Sequence, residues 1–85
     1  MNGFIVYDHH WHIWGFGPDV MSAWTMAEGN LDTLPQPTRT RRYLRARMAT
    51  PLLLEAIEEG RVSSAQWTIH DGVAHLMGER KTADV

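Results

Sequence analysis

Residues 64–78 read SAQWTIHDGVAHLMG. Asp71-Gly72 is a strong signal for a two-residue type I′ turn, because both central positions need positive φ. Counting outward pairs His70 with Val73, Ile69 with Ala74, Thr68 with His75 and Trp67 with Leu76. Strand side chains alternate between faces. One face of this hairpin then carries Trp67, Ile69, Ala74 and Leu76, all apolar, and the other Gln66, Thr68, His70 and His75, with Val73 and Met77 among them. Turn chemistry and hydrophobic pattern agree independently, so the segment is expected to be a hairpin with one buried face.

A second hairpin is expected at residues 4–17, FIVYDHHWHIWGFG. Phe4 to Tyr7 and Trp11 to Phe16 are β-prone, with Asp8-His9-His10 between them. A two-residue loop at His9-His10 would put Phe4, Val6, Trp11 and Ile13 on one face; a three-residue loop would put Ile5, Tyr7, Trp11 and Ile13 there. Either way His12 and Trp14 point away from Trp11 and Ile13.

Gly17-Pro18 reads as a helix start with Pro18 at the first helical position. Val20, Trp24, Ala27 and Leu31 form an apolar stripe at helical spacing, and Gly29-Asn30 marks the expected end. DTLPQPTRT, residues 32–40, is a loop by its prolines and small polar residues. RRYLRARM, residues 41–48, alternates, with Leu44, Ala46 and Met48 on one face and Tyr43, Arg45 and Arg47 on the other, as in a half-buried strand. Thr50-Pro51 opens a second helix whose buried side is Leu53, Leu54 and Ile57 and which Gly60 stops.

The order is therefore ββαβαββ. Alternating strands mean one covered and one wet sheet face. The expected class is α+β: a two-layer sandwich, a small mixed sheet with two helices on one face. Residues 1–78 form a single domain and 79–85 a frayed tail.

Composition narrows the chemistry. Eighty-five residues, 44% hydrophobic, suit one small packed domain. With no cysteine, disulfides, thiolate zinc sites and cysteine nucleophiles are excluded, and a reducing cytoplasm is the expected location. The first residues lack a basic, then apolar, leader pattern, and no run approaches the roughly 20 apolar residues of a membrane span. Net charge is −2, but Arg39, Arg41, Arg42, Arg45 and Arg47 crowd five positive charges into one segment and leave a net −7 on the remainder. A basic strip on an acidic protein is a local binding feature.

Three kinds of site follow. His9, His10 and His12 are candidate metal ligands by residue type. A closed zinc site wants four ligands, and alternation scatters these three, so an exposed turn is the favoured expectation and no cofactor is expected. A hydrolase could be sketched from Ser63 or Ser64 with a histidine and Asp8 or Asp71. No nucleophile elbow or phosphate-binding glycine loop accompanies them, and the expectation is a protein that is not an enzyme. The arginine strip is the strongest feature. Tyr43, Arg45 and Arg47 on an open sheet face, with Arg41, Arg42, Trp14 and His12 around them, would present rings and cations to a partner. The partner is expected to be a protein, including one within a nucleoprotein complex; a nucleic acid and a homodimer are the other options, and a membrane is not.

The order GFGPDVMSAW (15–24), ATPLLLEAIEEG (49–60), WTIHDGVAHL (67–76) resembles a class of small uncharacterised proteins carried by phages and other mobile elements. The shared pattern is a Gly-x-Pro or Gly-x-x-Pro helix start, Ala-Trp in the first helix, Thr-Pro opening the second, and Trp-x-x-x-Asp-Gly-Val-Ala in the last hairpin. It spans most of the chain and is structural, not catalytic. The resemblance implies an accessory factor, with anti-CRISPR inhibitors among its kind, acting on a host nucleic-acid machine. The HHWH cluster and the arginine-rich third strand depart from that pattern.

Overall fold

The computed structural model describes residues 2–33, 43–63 and 65–78. Its elements are β1 (Gly3–Tyr7), β2 (Ile13–Gly17), α1 (Val20–Leu31), β3 (Arg45–Ala49), α2 (Pro51–Glu58), β4 (Trp67–His70) and β5 (Val73–Leu76). The five strands form one mixed sheet in the order β2-β1-β3-β5-β4. Only the β3–β5 contact is parallel, and it spans two pairs, Met48 with Val73 and Ala49 with Ala74. The expected class and element order are those observed. The expected tail, residues 79–85, and Arg41 and Arg42 lie outside the described residues.

Local chemistry accounts for most of the boundaries. Asp71 (φ 53°) and Gly72 (φ 78°) make the type I′ turn, and β4 pairs with β5 in the register the turn dictates, from His70 with Val73 out to Trp67 with Leu76. Thr50 caps α2 through Leu53 N–H (3.3 Å), with Pro51 in the first turn. Gly60, at φ 72°, ends it: its N–H reaches Ile57 O while Arg61 N–H reaches Ala56 O. α1 starts later than expected. Asp19, not Pro18, is the transition point, because its carboxylate accepts from Ser22 N–H (2.7 Å) and Pro18 stays outside the helix.

The arrangement of the helices corrects the two-layer expectation. Ile5 and Val6 are consecutive in β1 and both fully buried. Ile5 packs with Tyr7, Ala49, Leu53, Trp67 and Ala74, whereas Val6 packs with Ala23, Ala27, Leu31 and Leu44. Consecutive strand residues face opposite sides, so α2 covers one face and α1 the other. The helices flank the sheet. On the α1 side the cover is partial: Met48 and His70 are exposed, and Thr68, Val73 and His75 are half-exposed. That strip is the open part of the sheet.

Docking of α1 depends on missing side chains. A Cβ on Gly15 would fall on the Ala23 carbonyl oxygen and 2.6 Å from Ala27 N. The helix buries Ala23, Ala27 and Leu31, while Trp24 is half-buried and Val20 exposed, so the contact stripe is rotated from the expected one toward its small residues. In α2, Ala56 is buried alongside Leu53, with Leu54 and Ile57 half-buried.

Candidate functional site

The β1–β2 connection is a five-residue loop, not the expected two or three residues, and Asp8 builds it. The Asp8 side chain is almost fully buried. Its Oδ1 accepts from the backbone N–H of His10 (2.8 Å) and of His12 (3.0 Å), and its Oδ2 from Trp14 Nε1–H (2.9 Å). Asp8 N–H donates to His12 O, and Trp11 N–H to Asp8 O. One carboxylate thus satisfies donors that a wider loop would otherwise leave bare. Burial is the largest single influence on the Asp8 carboxyl and pushes its pKa up. The Trp14 indole, the His12 and His10 amides and the nearby His12 ring together outweigh it and hold the pKa below 3.8.

The same loop forces Trp11 to φ 66°, the left-handed region that bulky residues avoid. Such a conformation persists where the surroundings impose it, and it concentrates at functional positions. Here it stands the indole up between the two hairpins. Trp11 lies 5.9 Å from the Tyr7 ring and 4.8 Å from that of Trp67, and Trp67 Nε1–H donates to Trp11 O (3.1 Å). Trp67 also meets Tyr7 edge-on at 5.1 Å. In a flat sheet β1 and β4 would be about 14 Å apart. The side chains therefore lean together over the α2 face, and the two hairpins converge there.

Trp11 separates two clefts. The larger, ≈ 450 Å³, is lined by Trp11, His12, Ile13, Trp14, Ile57, Val62, Ser63 and Trp67, with no lysine, arginine or carboxylate. The smaller, ≈ 240 Å³, is lined by Tyr7, Asp8, His9, Trp11, Tyr43 and Arg45. His9 lies with its ring 4.4 Å from that of the exposed Tyr43 and 3.9 Å from that of His10. Arg45 is exposed, and no carboxylate of the described residues pairs with it.

The structure brings some of the expected site residues together and separates others. Tyr43 and Arg45 share the smaller cleft, and His12 edges the larger one, its Nδ1 3.7 Å from Asp8 Oδ2. Arg45 pairs with Tyr7 and Arg47 with Ile5, so both arginines are on the α2 side, not on the open strip. They oppose Ala46 and Met48 as alternation dictates, but their face also carries a core. Trp14 does not extend an open aromatic surface: it is half-buried, packs against the α1 cluster and is tied to Asp8. Among the described residues no three His, Cys, Asp or Glu are placed to hold a metal, so His9, His10 and His12 form no such group. Ser63 lines the larger cleft, but no hydrogen bond joins its hydroxyl to an imidazole. Ser64 lies outside the described residues. No helix among them is long and apolar enough to cross a membrane.

Sequence reasoning missed Tyr7 and Asp8 as cleft residues and Trp11 as the divider between the clefts. The available signal was Asp8 itself, a carboxylate followed by a run of donors.

Comparison with protein-family models, with curated proteins and with solved structures returned no match to this chain.

Proposed function

We propose that the chain is a non-enzymatic interaction module that docks an anionic segment of a protein partner against the rim formed by Tyr43, Arg45, His9 and Trp11. One observation carries the reading: an exposed arginine without a carboxylate partner shares a cleft with Trp11 and the His9–Tyr43 ring pair. Arginine and aromatic side chains are the usual anchors of protein interfaces. The larger cleft on the other side of Trp11 is lined by no lysine or arginine and suits an apolar side chain from the same partner. A net charge of −7 outside the arginine segment opposes a long polyanion but not a local acidic patch. Together with the resemblance to mobile-element accessory proteins, the reading is of an inhibitor that occludes a component of a host nucleic-acid machine in the host cytoplasm.

The test is capture of partners by the wild-type chain and by Tyr43→Ala with Arg45→Glu. Both positions are exposed, so circular dichroism should not change. The variant should lose the wild-type partners, and wild-type association should quicken at low salt. Identical capture by both chains refutes the reading.

A second reading, direct binding of single-stranded nucleic acid, is favoured by the ring pair beside Arg45, since bases stack on rings next to cations. It requires a mobility shift at about 50 mM salt that weakens log-linearly as salt rises.

A further inference from the structure

Arg47 poses a problem that the docking surface does not explain. Its Nε is buried and has no hydrogen-bond partner. A buried N–H without an acceptor forfeits its hydration for nothing, and native structures seldom tolerate one without a reason. Arg47 is not isolated. Arg45 lies two residues earlier on the same strand, and both Cα positions face β1, at Ile5 and Tyr7. Two strand steps put residues of one face about 7 Å apart. No carboxylate among the described residues pairs with either guanidinium, and Asp8, which shares a cleft with Arg45, is committed to three N–H donors.

We propose that Arg45 and Arg47 form a clamp for one phosphate monoester dianion. Two adjacent guanidiniums supply two positive charges and two planar donor forks, which match the charge and the several acceptor oxygens of a dianionic phosphate; one carboxylate fills only one fork. The flanking Ile5 and Tyr7 are buried, so the field of the pair is less screened than at an open surface. Arg47 lines neither cleft and its Nε is closed to solvent, so the side chain swings out toward Arg45 to meet an oxygen of the bound group, which then fills the unmet donor. The inference rests on the rim around Tyr43 and Arg45 being the docking surface, and it names the anion: the partner segment carries a phosphorylated side chain.

The experiment uses the chain alone, so it can fail while partner capture succeeds. Melting is followed at neutral pH and matched ionic strength in inorganic phosphate, O-phosphoserine, acetate and chloride. Phosphate and phosphoserine should raise the melting temperature and acetate and chloride should not. The rise with phosphoserine should shrink near pH 5, below the second ionisation of a phosphomonoester at about 6. Arg47→Met keeps the side-chain volume and removes the unmet donor. It should melt higher than wild type without phosphate and bind phosphate at least about tenfold more weakly. Arg45→Gln, at an exposed position, should lose the phosphate response without changing the melting of the ligand-free chain. Equal effects of phosphate and chloride, equal effects of acetate and phosphate, or a phosphate response that survives Arg47→Met each overturn the clamp. Protection by inorganic phosphate with none by phosphoserine assigns the site to the free ion and overturns its link to a phosphorylated partner.

Discussion

Trp14 Nε1 donates to Asp8 Oδ2 at 2.9 Å, across a loop whose other two anchors, the His10 and His12 amides, end on the same carboxylate. The bond ties the tip of the β1–β2 hairpin to a side chain that packs under α1. It thereby couples the position of Trp11, and both clefts beside it, to the α1 side of the core. Asp8→Ala strips an acceptor from three donors at once. Hydrogen bonds to a charged group are worth about 1.5–3 kcal/mol each, though not additively. Asp8→Ala should therefore cost about 2–4 kcal/mol in urea unfolding. Trp14→Phe, which removes one donor and keeps most of the ring packing, should cost about 1–2 kcal/mol. Equal costs would mean that the ring, not the carboxylate, organises the loop.

The pH dependence follows from the same group. The folded pKa of Asp8 lies below its ordinary value of 3.8. A carboxyl depressed by folding contributes stability that is complete above the unfolded pKa and is lost as pH falls through the folded one. The urea midpoint should therefore be flat with respect to Asp8 near neutrality and fall below about pH 4. Asp19, whose carboxyl is lowered by its bonds to Ser22, adds a loss of the same sign. Asp8→Asn should start lower at neutral pH and show a shallower acid fall. An acid fall as steep as that of wild type would assign the effect to Asp19 and other carboxyls.

What was legible in the sequence is what short-range chemistry decides. Asp71-Gly72 sets the β4–β5 register, and Thr50-Pro51 sets the start of α2, because cap and turn rules act within four residues. The β1–β2 loop was not legible, since its length depends on one buried carboxylate reaching an indole six residues on. The opposite placement of the helices had a signal: Phe4 to Tyr7 is continuously apolar, as a strand buried on both faces should be. Alternation in the other strands masked it. The site shares this difficulty: alternation puts Tyr43, Arg45 and Arg47 on one face, and nothing in their spacing shows that this face also carries the α2 core. The rim around Trp11 is assembled from the β1–β2 loop, Tyr43, and Arg45 of β3, and no local pattern encodes their convergence.

Two glycines should respond in opposite directions. Gly15 is where β2 meets α1, and the atoms its Cβ would strike are backbone, which cannot rotate away. Gly15→Ala should cost about 3 kcal/mol or more by pushing the helix off the sheet. Gly29 lies inside α1 with nothing within 4 Å of its missing Cβ. Gly29→Ala should gain up to about 1 kcal/mol, the helical advantage of alanine over glycine. Thermal unfolding of both variants checks the pair, and a neutral Gly15→Ala would refute the close approach of α1.

The two tryptophans that meet at the clefts should separate binding from stability. Trp67 is 3% exposed and Trp11 39%. Trp67→Ala empties a core position and should cost about 3–5 kcal/mol. Trp11 is different, because its backbone is held at φ 66°. Glycine adopts that region freely, whereas an L side chain pays about 1–2 kcal/mol for it. Trp11→Gly therefore loses ring contacts with Tyr7 and Trp67 but sheds strain, and the bond from Trp67 Nε1 survives because it ends on the Trp11 carbonyl. The two effects should nearly cancel, leaving stability within about 1 kcal/mol of wild type. Partner capture should nonetheless fall sharply, since the wall between the clefts is gone. If Trp11→Gly destabilises as much as Trp67→Ala, the indole is a core residue, and the strained loop serves packing and not recognition.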